Sequence, residues 1–443
     1  MLKCGAAKAS INPPEFPIHL MGYRSDLQAN AVHDDISVTA LFLEDETGEK
    51  VVVLTYDMIT NSTRFVDLVQ AACAKVSGLD PRKHIMTVSH SHSTPTVNLG
   101  GYSDGDEIAP QFNQAFHDRV IQASAEATKE AVANAETVTV QYNTARIREN
   151  INRRIFFPNG QYYYQPKQKS LKDLSEGYID EELLVVFFRC TERDDYKAVL
   201  VNYTAHPLTI GDTSNEVSAD YPGVLKREIE SSLGGVAMFI NGSCGDNHPE
   251  GAEAGFGRCE KMGLALAETA LYHRWDAVPL DNPRISSDYR EVNLPSMSKE
   301  DFDALPQNFG TGEQERPGKK EGATLKTYVS LWSLGPLCFV GVPGETSAEL
   351  GVRLKWESPF PKTYVMYLST DSCGYITHRN GYCWGGYEVL TSRVGPKAGT
   401  QLISEAVDAA EGMRDRLIAG GADLTLPGQG TGAIPENNPG TAR

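Results

Sequence analysis

The sequence predicts an α/β fold, a mixed β-sheet core flanked by helices. Three observations carry that prediction. Short runs rich in β-branched and apolar residues recur along the 443 residues. Stretches with the apolar spacing of an amphipathic helix lie between them. A composition of 40% hydrophobic and 22% charged residues is ordinary for a globular chain with a large core. A mixed sheet is favoured over a purely parallel one.

The strand-like runs are, in order, 36–43, 51–56, 84–89, 183–188, 198–203, 237–240, 328–334, 338–342 and 364–368. The helical stretches are 65–76, 115–135, 257–272, 348–356 and 399–417. Residues from about 298 to 323, rich in Lys, Glu, Gly, Pro and Gln, read as an exposed excursion. The segment 424–443, dominated by Gly, Pro, Asn and Thr, reads as a disordered tail. One domain is therefore expected over 1–423, with no internal repeat.

A formal net charge of -17, with acidic residues spread along the chain, argues against nucleic acid and anionic membrane surfaces as partners. Met1 to Lys8 hold no apolar core of signal-peptide length, and no run is long enough to span a bilayer. A cytoplasmic protein acting on a small molecule is the expectation, with homo-oligomer formation left open. The eight cysteines show no CxxC spacing, and most read as reduced, buried residues. Asn61, Asn202 and Asn241 begin Asn-x-Ser/Thr triplets, which carry no meaning without export.

Several segments could carry chemistry. His90 and His92 follow an apolar strand, and side chains two apart on a strand share a face. Imidazole is a common zinc ligand, so metal or catalytic use competes with a plain hydrogen-bonded turn. His206 follows another buried strand and by itself reads as a loop histidine. The turn 241–248 (Asn-Gly-Ser-Cys-Gly-Asp-Asn-His) has small residues whose N–H groups could approach an anion, but no Gly-Lys-Ser/Thr follows to make a P-loop. Glu345, in Val342-Pro343-Gly344-Glu345-Thr346, is adequately read as an acidic residue in the first turn of a helix. From Gly374 to Glu388 the chain is dense in Tyr, Gly and Trp, which suggests a shaped loop.

Together these segments resemble the neutral (non-lysosomal) ceramidase family, specifically its catalytic domain. Ala9-Ser10-Ile11-Asn12-Pro13-Pro14 and Met21-Gly22-Tyr23 look like its A-x-I-T-P-P and M-G-Y elements. The strand ending at Asp57 comes next, and Ser89 to Pro95 is similar to T-H-T-H-S-G-P. Asn152-Arg153-Arg154 resembles N-R-S, and Gly245 to Pro249 stands where the family has G-D-x-S-P. Pro343-Gly344-Glu345 matches P-G-E, and Gly374-Tyr375-Ile376-Thr377 with Tyr387-Glu388 resembles Y-I-T-T and Y-E. The matches keep their order over more than 350 residues.

The resemblance implies one zinc per chain, held by His90, His206, Glu345 and Tyr375. It implies His92 as a general base or hydrogen-bond partner, Arg153 and Tyr387 as contacts to the scissile carbonyl or substrate, and Asp57 as a support behind the ligands or a structural residue rather than a catalytic one. His248 stands where the family has Ser, so a serine nucleophile at that position is excluded, and His248 becomes a candidate substrate contact or extra base. The resemblance stops before the family's C-terminal immunoglobulin-like domain. With the negative charge, this shifts the expected substrate from ceramide to a small polar amide, ester or lactone. The expected activity is hydrolysis through a metal-activated water, as an amidase or as a lactonase on a sugar-acid-like substrate. A non-catalytic metal-binding homologue is the alternative from another class. An amidohydrolase barrel or a metallo-β-lactamase fits less well, because Thr94-Pro95 follows the histidine pair where the latter wants Asp-His.

Overall fold

The computed structural model describes residues 1–24, 26–101, 107–156, 162–164, 177–251, 254–306 and 324–426. Twelve strands carry its two main sheets. In chain order they are β1 (Leu2–Ser10), β2 (Ser37–Glu44), β3 (Lys50–Tyr56), β4 (His84–Val88), β5 (Glu136–Arg146), β6 (Glu182–Cys190), β7 (Tyr196–Tyr203), β8 (Val236–Asn241), β9 (Ile285–Pro295), β10 (Thr324–Leu334), β11 (Leu337–Gly341) and β12 (Lys362–Met366). Six helices pack on them: α1 (Thr63–Ser77), α2 (Gln114–Ala133), α3 (Tyr221–Leu233), α4 (Phe256–Tyr272), α5 (Ala348–Glu357) and α6 (Ala398–Ala419).

The larger sheet runs β8-β7-β6-β5-β1-β2-β3-β4, with Val278–Leu280 added alongside β5. Only the outer pairs, β7 with β8 and β3 with β4, are parallel. The smaller sheet runs β9-β10-β11-β12, and its β11–β12 pair is parallel. The expected mixed sheet is present, but as two sheets packed face to face.

Alternation of side chains builds the layers. Leu41, Val53, Ile85, Leu184, Leu200 and Met238 meet Trp332, Phe339, Tyr364 and Met366 between the sheets. The opposite face of the larger sheet divides in two. Phe42, Val52, Leu54 and Met86 pack under α1 and α2, whereas Val185, Phe187, Val201 and Phe239 pack under α3 and α4. Val329, Leu331, Val340 and Val365 of the smaller sheet pack under α5 and α6. The result is four layers, helix–sheet–sheet–helix.

The nine strand runs and five helical stretches read from the sequence all form, with no end shifted by more than four residues. Strands β1, β5 and β9 and helix α3 are additional. Within the excursion, Lys299–Asp303 is a short helix and Leu305 is buried, while 307–323 lie outside the described residues. At the far end Leu424 and Leu426 pack into the core, so ordered packing extends past the expected boundary at 423. The rest of the expected tail, 427–443, lies outside the described residues.

Buried amides tie the layers together. Asn202 Nδ2 donates to Ile240 O and to Val365 O across the two sheets, both at 3.0 Å. Asn61 Nδ2 donates to Leu368 O (2.8 Å), and Asn241 Nδ2 to Ser89 O (2.8 Å) and Ala205 O (3.0 Å). The three Asn-x-Ser/Thr triplets thus begin with interior side chains, closed to modification in the folded chain. All cysteines are free, and only Cys383 is exposed. Among the described residues no helix is long and apolar enough to cross a membrane.

Candidate metal centre and active site

Asn241 brings the two edges of the larger sheet together, because it joins the chain just after β4 to the chain just after β7. The smaller sheet closes on the same place, where Tyr367 N donates to Asn241 O (3.0 Å) and Thr87 Oγ1 to Tyr367 O (2.7 Å). His90, His92, His206, Glu345 and Tyr367 therefore meet where five strand ends converge.

The two histidines do not meet by sharing a strand face, as the sequence suggested. β4 ends at Val88, and His90 takes a φ of 72°, a left-handed conformation rare for a residue with a side chain. The turn, anchored by His90 N on Met58 O and His92 N on Pro207 O, places the rings edge to face with centroids 4.8 Å apart.

Each of the three imidazoles bonds a main-chain carbonyl through Nδ1: His90 to Ile59 O (2.5 Å), His92 to Gly22 O (2.8 Å) and His206 to Cys244 O (2.5 Å). A carbonyl can only accept, so Nδ1 carries the proton and Nε2 keeps its lone pair. The potential ligand atoms of the three residues lie within 4.8 Å of one another, all buried. His90 Nε2 is 3.2 Å from His92 Nε2. Two lone pairs at that distance repel unless a proton or cation lies between them. Glu345 Oε2 lies 3.3 Å from His90 Nε2 and 3.6 Å from His206 Nε2, and His206 Nε2 makes no hydrogen bond among the described residues.

Electrostatics follow from burial. Burial first, then His90 and His206, push His92 well below the usual imidazole value, and burial brings His206 to about 4. Burial alone would raise Glu345, but His90 and His206 outweigh it and hold the carboxyl well below the usual range. The donor set is thus three imidazoles and an ionised carboxylate, which fits zinc in type and arrangement. The reading of Glu345 as a helix-capping residue is set aside: Ser347 is the residue before α5, and the Glu345 carboxylate is buried against the histidines.

Tyr375 is the cross-strand partner of Glu345 on the short ladder Glu345–Thr346 with Tyr375–Ile376, so it borders the cluster. Its ring faces Tyr387 (5.4 Å) and the Arg153 guanidinium (5.5 Å). Arg153 is fully buried, donating through Nε to Glu388 (2.7 Å) and through Nη1 to His248 Nε2 (2.5 Å). Arginine can only donate, so His248 Nε2 accepts and its lone pair is engaged. Burial, then Arg153, pushes His248 well below the usual imidazole value. The ring is still part of the site wall, 5.2 Å from that of His206.

The turn 241–248 contributes differently from the expected anion cradle. The N–H groups of Gly242, Gly245 and Asn247 bond Tyr203 O, Thr346 O and Cys244 O within the fold. Gly245 serves close approach instead: a Cβ there would lie 2.7 Å from both Glu345 O and Thr346 O. That glycine lets the turn holding His206 press against the strand carrying Glu345.

The sequence profile of the N-terminal part of the neutral/alkaline non-lysosomal ceramidases matches residues 2–263, more than half of the chain. The chain belongs to this ceramidase family. Two solved structures share its fold. The neutral ceramidase from Pseudomonas aeruginosa superposes with a TM-score of 0.76 at 17% identity, covering 94% of this chain and 75% of that one. A ceramidase complexed with C2 gives 0.75 at 16% identity, covering 96% and 76%. Likeness at such identity speaks for the fold alone. No curated protein matches this chain.

In this ceramidase-family chain, Asp57 accepts from Ser37 N and Oγ (both 2.9 Å) and pairs with Lys226 (2.6 Å). Two groups escaped the sequence reading. Tyr367, buried against His90 and His206, donates its hydroxyl to Glu345 Oε2 (3.2 Å). Glu388 bridges Arg153 (2.7 Å) and Arg154 (3.2 Å). Tyr367 lay inside the strand run 364–368 read from the sequence, whereas the structure ends β12 at Met366 and places Tyr367 just beyond it.

Proposed function

We propose that the chain is a zinc-dependent hydrolase that cleaves an amide, ester or lactone bond of a small polar substrate, with residues 1–423 as its working unit. The observation that carries the reading is the set of three Nε2 lone pairs, each turned inward by a carbonyl on Nδ1, beside one ionised carboxylate. Family membership favours the amide bond within that class. The net charge of -17 favours a small polar substrate over an anionic lipid surface.

In this reading His90, His206, Glu345 and Tyr375 hold the ion, and Tyr367 orients Glu345 through its hydroxyl. Zinc, when bound, supplies Lewis acidity towards the carbonyl and makes a water molecule more acidic. His92, neutral at pH 7 and held by Gly22 O, offers Nε2 to receive a proton. Arg153, kept in place by Glu388 and His248, presents a fixed positive charge to the oxygen that becomes negative as the carbonyl is attacked. Tyr375 and Tyr387 flank that guanidinium and narrow the space beside it.

A second reading is favoured by one observation, the inward-facing Nε2 of His92. There the ion sits among His90, His92 and His206, and the proton is received elsewhere. Chain purified without chelators, analysed for metal and offered N-acyl amines beside lactones, tests the function. One zinc per chain and turnover that a strong chelator abolishes are expected. Full turnover by metal-free protein would sink the proposal.

A further inference from the structure

A cavity of about 140 Å³ lies beside the candidate active site, lined in part by Arg154, Tyr178, Asp246, Glu349, His378 and Trp384. That is room for a group of several heavy atoms, since one water takes roughly 30 Å³. The cavity shares residues with the mount of Arg153. Arg153 N donates to Asp246 O (2.8 Å), and Glu388 bridges Arg153 to Arg154.

His378 is the unexplained group in its wall. The residue is only 6% exposed, and neither ring nitrogen has a hydrogen-bond partner among the described residues. Its Nε2 lies 3.2 Å from Glu349 Oε2 without forming a hydrogen bond, and its ring meets Trp384 edge to face at 5.6 Å. A buried imidazole with both nitrogens unused is costly, because each gave up a hydrogen bond to water without gaining one in the fold.

The polar groups around it decide which charge the cavity favours. Arg154 is already committed: to Glu388, and through Nη2 to the carbonyls of Gly381 and Gly385. Asp246 accepts from Ala348 N (2.8 Å) and Asn152 Nδ2 (3.0 Å), while Glu349 has no lysine or arginine partner among the ion pairs of the described residues. Burial, then Arg154 and Arg353, lowers His378 to about 4, so its ring is neutral at pH 7 and offers a lone pair. Burial, then Asp246, raises Glu349 above the usual carboxylate value, a penalty that a nearby cation relieves. Trp384 and Tyr178, 42% and 46% exposed, add aromatic surface to the lining. With Arg154 spent on Glu388 and two carbonyls and Arg353 paired with Glu357, acceptors and aromatic faces are what remain to meet a cation.

We propose that this cavity binds the ammonium group of a small organic amine, with Glu349 and a nitrogen of His378 accepting its N–H groups beside Trp384 and Tyr178. The inference rests on the hydrolase reading only for its consequence. The substrate would then be an amide whose polar half carries a cationic ammonium.

Calorimetric titration of the full chain, metal loaded, with n-butylamine, n-butyrate and n-butanol tests the pocket without turnover. Saturable binding of butylamine alone is expected. Glu349→Gln and Trp384→Ala should each weaken it about tenfold, the order of one desolvated cation contact. His378→Phe should weaken it too while leaving the melting temperature unchanged or higher, because it removes unmade hydrogen bonds; a merely structural histidine would lower that temperature. Butyrate binding as tightly as butylamine, no saturable butylamine binding, or binding that E349Q and W384A leave intact would each overturn the proposal. Any of these leaves the hydrolase reading standing. Conversely, a chain that turns nothing over yet binds butylamine keeps the pocket and loses the hydrolase.

Discussion

Two of the buried polar clusters among the described residues are built on opposite plans. Asp57 and Lys226 form a matched pair at 2.6 Å, with Ser37 contributing both its N–H and its hydroxyl to the carboxylate. The His90–His92–His206–Glu345 cluster instead holds three inward lone pairs around one carboxylate and leaves His206 Nε2 without a hydrogen bond. The first cluster is complete with protein atoms alone. In the proposed reading, a cation completes the second. A buried ion pair is thus not by itself a sign of function. An organised excess of unshared lone pairs is a stronger one, because folding gains nothing from it.

The largest expected effect breaks the second cluster. Glu345→Gln should reduce bound zinc from one per chain to nearly none and abolish hydrolysis, while the metal-free chain stays within about 1 kcal/mol of the parent. Elemental analysis and melting of chelated protein measure the two halves separately. Breaking the first cluster should do the reverse. Asp57→Ala leaves the Lys226 ammonium buried alone and should cost about 3–5 kcal/mol in denaturant unfolding, with zinc stoichiometry unchanged.

Smaller changes sharpen the contrast. Tyr367→Phe should weaken zinc affinity about 10–100-fold, measured by chelator competition, since it removes only the hydroxyl that orients Glu345. His92→Ala separates the two readings of the ion. Retained zinc with lost turnover fits His92 as proton acceptor, whereas lost zinc makes it a ligand. A separate effect is a slope with pH. His206 and His378 are both lowered to about 4 in the folded chain, against 6.5 for a free imidazole. Unfolded chain therefore binds more protons between those values. The metal-free protein should keep full stability above about 6.5 and lose it as pH falls towards 4, by about 1.4 kcal/mol per pH unit for each histidine. His378→Phe should reduce that slope by one histidine's share, leaving the shares of His92, His206 and His248.

Why some elements escaped the sequence is clear from their neighbours. β1 reads Leu-Lys-Cys-Gly-Ala-Ala-Lys-Ala-Ser, with no β-branched residue, yet it joins the two halves of the larger sheet. A Cβ on Gly5 would lie 1.8 Å from Ala131 O, so small residues are what allow α2 to rest on this strand. β5 and β9 carry polar residues on alternate positions, which weakens the apolar signal. α3 begins Tyr-Pro-Gly and looks like a turn, although proline is well tolerated in the first turn of a helix. The site was legible in part. His90 and His92 stood out by spacing, whereas His206 and Glu345 looked ordinary one at a time and were singled out only through the family resemblance.

Residue chemistry along the chain determined the alternation of strands and helices and drew attention to His90 and His92, while the family resemblance supplied the other candidate ligands and the departure from serine at position 248. Tertiary structure decided the two-sheet stacking, the tautomer of each imidazole, and the capture of His248 by Arg153. These depend on carbonyls of Gly22, Ile59 and Cys244 and on a guanidinium 95 positions from its histidine partner. Such contacts are set by register and twist across the whole sheet, and a local pattern of residues carries no record of them.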